Sequence, residues 1–216
     1  MDPYSLNLNS WNKASSLYRQ RFMDPGIYQE GYDTLLNLLN ERHSSLLDVA
    51  CGPGNISAYL HQRHHFAKIV CTDFADNMLK ELKFSLPEAE GLVLDCRELY
   101  RAEGTFDVIT CGFALPYLVK KDAEVLLDTL MLKINPEGFV YLSFLDASEA
   151  LSGPEQGSTG DWCQIFYYPA SQIIEHLHRC GFVVLNQWSL PFKYKNDHPI
   201  LQTILIVSPG AKQGYF

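Results

Sequence analysis

Leu46-Leu47-Asp48-Val49-Ala50-Cys51-Gly52-Pro53-Gly54-Asn55-Ile56-Ser57 changes character twice in a short span. An apolar run stops at Gly52 and Gly54, and Ile56, Tyr59 and Leu60 then recur at helical spacing. The pattern predicts a buried strand, a glycine turn and the start of a helix. Glycine lets the chain take strained dihedrals and lets a ligand approach the backbone. The helix N-terminus beyond it offers unpaired N–H groups to a carboxylate or phosphate.

The turn is nearly the Gly-x-Gly-x-x-Gly/Ala of nicotinamide and flavin enzymes, and Asp48 separates the readings. A carboxylate just before the glycines repels a pyrophosphate and suits a ligand carrying an ammonium and a sulfonium. Pro53 removes a backbone N–H that a phosphate cradle would use. Asp73 closes Lys68 to Thr72, 73 − 54 = 19 residues past Gly54. An acid about 20 residues after the glycines sits at the end of the neighbouring strand, where it can accept from both ribose hydroxyls. It could equally cap the helix beginning near Phe74. Asp95 follows Leu92-Val93-Leu94 and is either an adenine contact, with the N–H of Cys96 beside it, or a turn former. Phe74 and Phe113 either flank that ring or belong to the core.

Asp48-Val49-Ala50-Cys51-Gly52-Pro53-Gly54 resembles the first motif of the class I S-adenosylmethionine-dependent methyltransferases, with Ala50 where many members have the first glycine. Asp73 and Asp95 resemble that family's acids after the second and third strands. Phe106 to Leu118, with Cys111 and Phe113, resembles its fourth motif, which borders the transferring methyl. The resemblance covers about residues 45 to 207. It implies S-adenosylmethionine as cofactor, held by Asp48, Ala50, Gly52, Gly54, Asp73, Phe74, Asp95, Cys96, Cys111 and Phe113. It also implies an N-terminal helix whose Tyr18 closes over the cofactor. Two departures matter. The Asp/Asn-Pro-Pro-aromatic signature of amino-directed nucleic-acid enzymes is missing, and Pro116 stands where many small-molecule members carry a His. No general base carries over at Pro116; for an acceptor that needs deprotonating, Tyr117 is the candidate the sequence names.

From Leu46 onward strand and helix patterns alternate, and the strands are continuously apolar, which predicts a mainly parallel sheet covered on both faces. The expected fold is α/β and Rossmann-like, with seven strands. Phe182 to Trp188 and Leu201 to Val207 form its last, antiparallel hairpin, joined through Pro191 to Pro199. Residues 1–45 read as a helical cap with Trp11, Ser15, Tyr18 and Phe22 on one stripe, and 46–216 as the core. Asn135-Pro136-Glu137-Gly138 reads as a type I turn. Residues 151–162, inside a lid segment at 146–168, are too rich in Gly, Ser and Pro to pack and read as a lid or as disorder.

A chain of 216 residues with 47% hydrophobic and 19% charged residues can bury one sizeable core. Its net charge of −8, without a dense basic run, argues against nucleic acid as partner. No signal peptide or membrane-length apolar run is visible, so a cytoplasmic location is expected. The six cysteines, without a Cys-x-x-Cys pair, are expected as free thiols, and His61, His64 and His65 as a solvated helix face. His176 and His178 do not share a helix face. The leading expectation is a methyltransferase acting on a small molecule, with Tyr18, Tyr117, Trp162 and Tyr167 around the acceptor. The alternatives are a non-catalytic cofactor-binding subunit or sensor and a nicotinamide-dependent oxidoreductase.

Overall fold

The computed structural model describes residues 2–157 and 160–210. Its main sheet contains β1 (Ser45–Val49), β2 (Lys68–Asp73), β3 (Glu90–Val93), β4 (Phe106–Gly112), β5 (Ile134–Asp146), β8 (Phe182–Lys195) and β9 (His198–Pro209). The spatial order is β3-β2-β1-β4-β5-β9-β8; β9 runs antiparallel to β5 and β8, and the other pairs are parallel. The reversal of order between β1 and β4 opens a crevice at the carboxyl ends of the strands, where ligands of open α/β sheets bind.

Continuous apolar strands arise because alternate residues serve two separate cores. Leu47, Val49, Ile109, Leu142 and Leu205 pack on one face with α5 (Lys120–Lys133) and α6 (Ala170–Cys180). Leu46, Ile69, Val108 and Ile206 pack on the other with α2 (Gln29–Leu38), α3 (Asn55–His61) and α4 (Asp76–Ser85). The α1 helix (Pro3–Phe22) starts earlier than its aromatic stripe suggests, because Asp2 accepts from Tyr4 N and Ser5 N and Pro3 occupies the first turn.

Three expectations change. Asn135 to Gly138 is not a turn: β5 runs through it, and the pairing jumps from Phe106–Ile134 to Val108–Phe139 as a bulge. Asn135 Nδ2 donates to Asp107 Oδ1 at 2.7 Å, and a Cβ on Gly138 would meet the Asp107 carbonyl at 2.6 Å, which keeps the bulge tight. The polar loop around 151–162 instead contains β6 (Gly153–Gln156), paired antiparallel with β7 (Trp162–Ile165); Ser158 and Thr159 lie outside the described residues. The final hairpin is much longer than its apolar residues alone, turning at Asn196 and Asp197, both with positive φ as a type I′ turn requires. Pro191 did not break β8 because that strand lies at the sheet edge and shifts register there.

All six cysteines are free. His61 and His64 do not form a solvated face. The His61 Nδ1 accepts from Phe66 N at 3.3 Å and His64 Nε2 lies 2.7 Å from the His43 carbonyl, so both rings close the turn into β2. No helix among the described residues is long and apolar enough to cross a membrane.

Candidate functional site

A cavity of about 470 Å³ opens at the carboxyl ends of β1, β2, β3 and β4. Its floor is the glycine turn. Ala50, Gly52 and Gly54 have φ of 53°, 55° and 78°, so the chain makes three left-handed steps between strand and helix. For Ala50 such a step is strained by about 1 kcal/mol or more. The two glycines have different reasons to lack a side chain. Gly52 lines the cavity, and a Cβ there would lie 3.8 Å from the Tyr18 ring. Gly54 does not face the cavity; a Cβ there would lie 2.4 Å from Leu82 Cδ1, so it lets α4 pack onto the turn.

Asp48 and Asp73 are both almost wholly buried and both line the cavity. Asp48 accepts from Ser57 Oγ at 2.6 Å and Thr110 Oγ1 at 2.7 Å. Asp73 accepts from Gly52 N at 2.9 Å and Ala75 N at 2.8 Å, tying the glycine turn to the end of β2. The helix-capping reading of Asp73 is not realised: α4 begins at Asp76 with Ala75 at its N-cap and no side-chain bond to the cap, so the Asp73–Ala75 bond closes a turn ahead of the helix. Burial pushes each carboxyl up to about 6, against the lowering effect of these hydrogen bonds. Among the described residues neither carboxylate has an ion-pair partner. Two desolvated acids without a cation make a cavity suited to a positively charged ligand.

Asp95 also lines the cavity, but its carboxylate is engaged by Arg97, through Nε at 3.0 Å to both oxygens and Nη2 at 2.6 Å. It also accepts from Arg97 N at 2.9 Å, so the turn-forming reading is realised. Arg97 in turn lies over the Tyr4 ring at 3.6 Å. Phe74, Cys96 and Phe113 line the cavity, and Phe113 has φ of 55°, a second strained residue at the site. Cys111 does not reach it: it is fully buried in the core under α5.

The roof is α1. Trp11 sits edge-on to Tyr18 at 5.4 Å and to Tyr117 at 5.2 Å, and all three line the cavity. On one side Asn12 Oδ1 accepts from Asn77 N, and the Asn12 carbonyl accepts from Asn77 Nδ2, both at 3.0 Å. On the other, buried Asn7 donates to the Gln164 carbonyl at 3.2 Å and accepts from Gln164 N at 2.8 Å, joining α1 to β7. Burial raises the phenol of Tyr117 well above its ordinary value, so it stays protonated at neutral pH. No histidine lines the cavity among the described residues.

Trp162 and Tyr167 are not part of the wall. Trp162 is half exposed outside it, and Tyr167 is fully buried with its hydroxyl donating to Glu155. Their places are taken by Trp11, Tyr28 and Phe192. Trp11 was visible on the Tyr18 stripe, whereas nothing local marks Tyr28 or Phe192.

A seven-stranded sheet in this order, with acids at three adjacent strand ends beside a glycine turn, defines the class I S-adenosylmethionine-dependent methyltransferase fold. Residues 46–138 match the family model described as a methyltransferase domain. Trans-aconitate 2-methyltransferase of Escherichia coli O139:H28 is 32% identical over 99 residues, covering 46% of this chain and 38% of that relative. The match thus spans well under two thirds of the length of that relative. The protein of the same name from Shigella flexneri matches to the same extent. Among solved structures, 1,6-didemethyltoxoflavin-N1-methyltransferase of Burkholderia thailandensis, with bound 1,6-didemethyltoxoflavin and S-adenosylhomocysteine, superposes with a TM-score of 0.71. Its identity is 13%, over 98% of this chain and 92% of that one. An S-adenosylmethionine-dependent methyltransferase from Clostridium acetobutylicum superposes with a TM-score of 0.69 at 16% identity, over 94% of this chain and 100% of that one.

Proposed function

We propose that the chain is a methyltransferase that binds S-adenosylmethionine over the glycine turn and transfers its methyl group to a small molecule. The observation that carries this reading is the pair of buried carboxylates, Asp48 and Asp73, lining one cavity without a cation. S-adenosylmethionine brings an ammonium, a sulfonium and a ribose diol, the groups such a pair can bind. Asp73 would hold the ribose hydroxyls and Asp48 the positive end. Leu94, Asp95 and Cys96, which line the same cavity, would take the adenine, with the Asp95 carboxylate shared with Arg97.

The acceptor side is the space between α1 and the β6–β7 hairpin, walled by Trp11, Tyr117 and Phe192. The cavity has the size of a small-molecule site, and the relatives' names include small acceptors. The cofactor, when bound, supplies an electrophilic methyl on sulfur. The protein's contribution is to align the acceptor in line with that bond and keep water out. Since the Tyr117 phenol is held protonated, its role is as a wall or hydrogen-bond donor rather than a base. The helical cap of residues 1–45 closes the site over a core from residue 46 onward.

Calorimetry with S-adenosylmethionine and S-adenosylhomocysteine tests the binding half. Methyl transfer across a metabolite panel, with protein and RNA acceptors alongside, tests the rest. Retained binding with no transfer to any acceptor would favour the non-catalytic subunit instead.

A further inference from the structure

On the face away from the cavity, α5 and α6 bring together three side chains that the proposed reaction does not use. His176 and Cys180 are four residues apart on α6 and so share a face, and Asp128 of α5 stands opposite them. His176 Nε2 lies 2.8 Å and Cys180 Sγ 3.0 Å from the same Asp128 oxygen, Oδ1. All three candidate ligand atoms lie within 4.8 Å of one another. Among the described residues this is the one such cluster of His, Cys and acidic groups.

We propose that Asp128, His176 and Cys180 form a zinc-binding clip between α5 and α6. Both donors now point a proton at one carboxylate oxygen, and a divalent cation placed among them would replace those two protons. The thiol proton leaves to solvent, while the imidazole proton moves to Nδ1, leaving Nε2 free to ligate. One nitrogen, one sulfur and one oxygen suit zinc and disfavour magnesium or calcium, which prefer all-oxygen shells. Thiolate and carboxylate together would neutralise the ion, and the C-terminal end of α6, which closes at Gly181, adds its negative dipole. Asp128 is largely exposed, leaving an entry path and a fourth position for water. The opposing group is Arg179, whose guanidinium lies 3.2 Å from His176 Nδ1; it sits on the solvent side and must turn away when Nδ1 takes the proton.

Cobalt(II) tests the site, since a bound thiolate gives it a charge-transfer band that nitrogen and oxygen ligands do not. The full chain, kept reduced with a non-thiol reagent, should take up one equivalent with that band. Zinc should displace the cobalt and raise the Tm. Cys180→Ser should abolish the band and weaken binding by about tenfold or more, since even the neighbours of metal ligands matter by that much. Cys163→Ser should change neither. A protein that shows no thiolate band in millimolar cobalt, or whose band survives in Cys180→Ser, overturns the proposal. His176→Gln, which keeps a polar group on the surface helix, must also lose zinc-dependent stabilisation; if it keeps it, the assignment is wrong.

Discussion

The floor and the roof of the cavity are built by different means. The floor is held by backbone: β1 lies between β2 and β4, Cys51 N donates to the Thr72 carbonyl at 2.9 Å, and Gly52 N donates to Asp73. The roof is held by side chains, with Asn7 on Gln164, Asn12 on Asn77 and Lys13 on Asp161 at 2.7 Å. A floor set by a sheet is rigid before any ligand arrives, whereas a roof set by a few polar contacts can be loosened one residue at a time.

The largest expected effect is on the floor. Asp73→Ala removes the acceptor for Gly52 N and the proposed acceptor for two ribose hydroxyls, so cofactor affinity should fall by about 1–3 kcal/mol, roughly 5- to 150-fold, with a lower Tm. Unchanged affinity in calorimetry alongside a lower Tm would make Asp73 a structural anchor only. On the roof, Asn7→Ala leaves Gln164 N without its partner and should cost about 1–3 kcal/mol of stability. Steady-state kinetics should show the acceptor KM rising more than the cofactor KM. If both rise equally, floor and roof are not separable.

This contrast also sets what was legible in the sequence. Strand, turn and acid follow one another locally around Asp48 and Asp73, so period and spacing expose the floor. The Asn7–Gln164 pair joins positions 157 residues apart, and no local pattern announces it. The β6–β7 hairpin was hidden because Gly153 and Pro154 read as breakers, although pairing with β7 makes them a short strand. Trp162 and Tyr167 were placed at the acceptor by residue type, and only tertiary packing shows them outside it.

Tyr117→Phe should lower turnover by less than about tenfold, because a protonated phenol offers contact rather than base catalysis. An inactive variant that still binds both ligands would assign Tyr117 a chemical role. Ala50→Gly relieves a left-handed alanine and should leave stability unchanged or raise it by up to about 1 kcal/mol in denaturant unfolding. A loss of stability there would mean that the turn is not strained.

The two buried carboxylates favour a cofactor that carries positive charge beside its ribose diol, and proton linkage tests this most directly. With both pulled up to about 6 from an ordinary 3.8, the stability they contribute is fully present below about 3.8 and lost as pH rises through about 6. A cationic ligand favours their ionised form, so its affinity should rise with pH through about 6 and level off above. Titration calorimetry with S-adenosylmethionine at pH 6, in two buffers of different ionisation enthalpy, should show one-to-one binding with net proton release. Binding with no proton release would contradict the electrostatic account, and no binding of the cofactor at millimolar concentration would contradict the site itself.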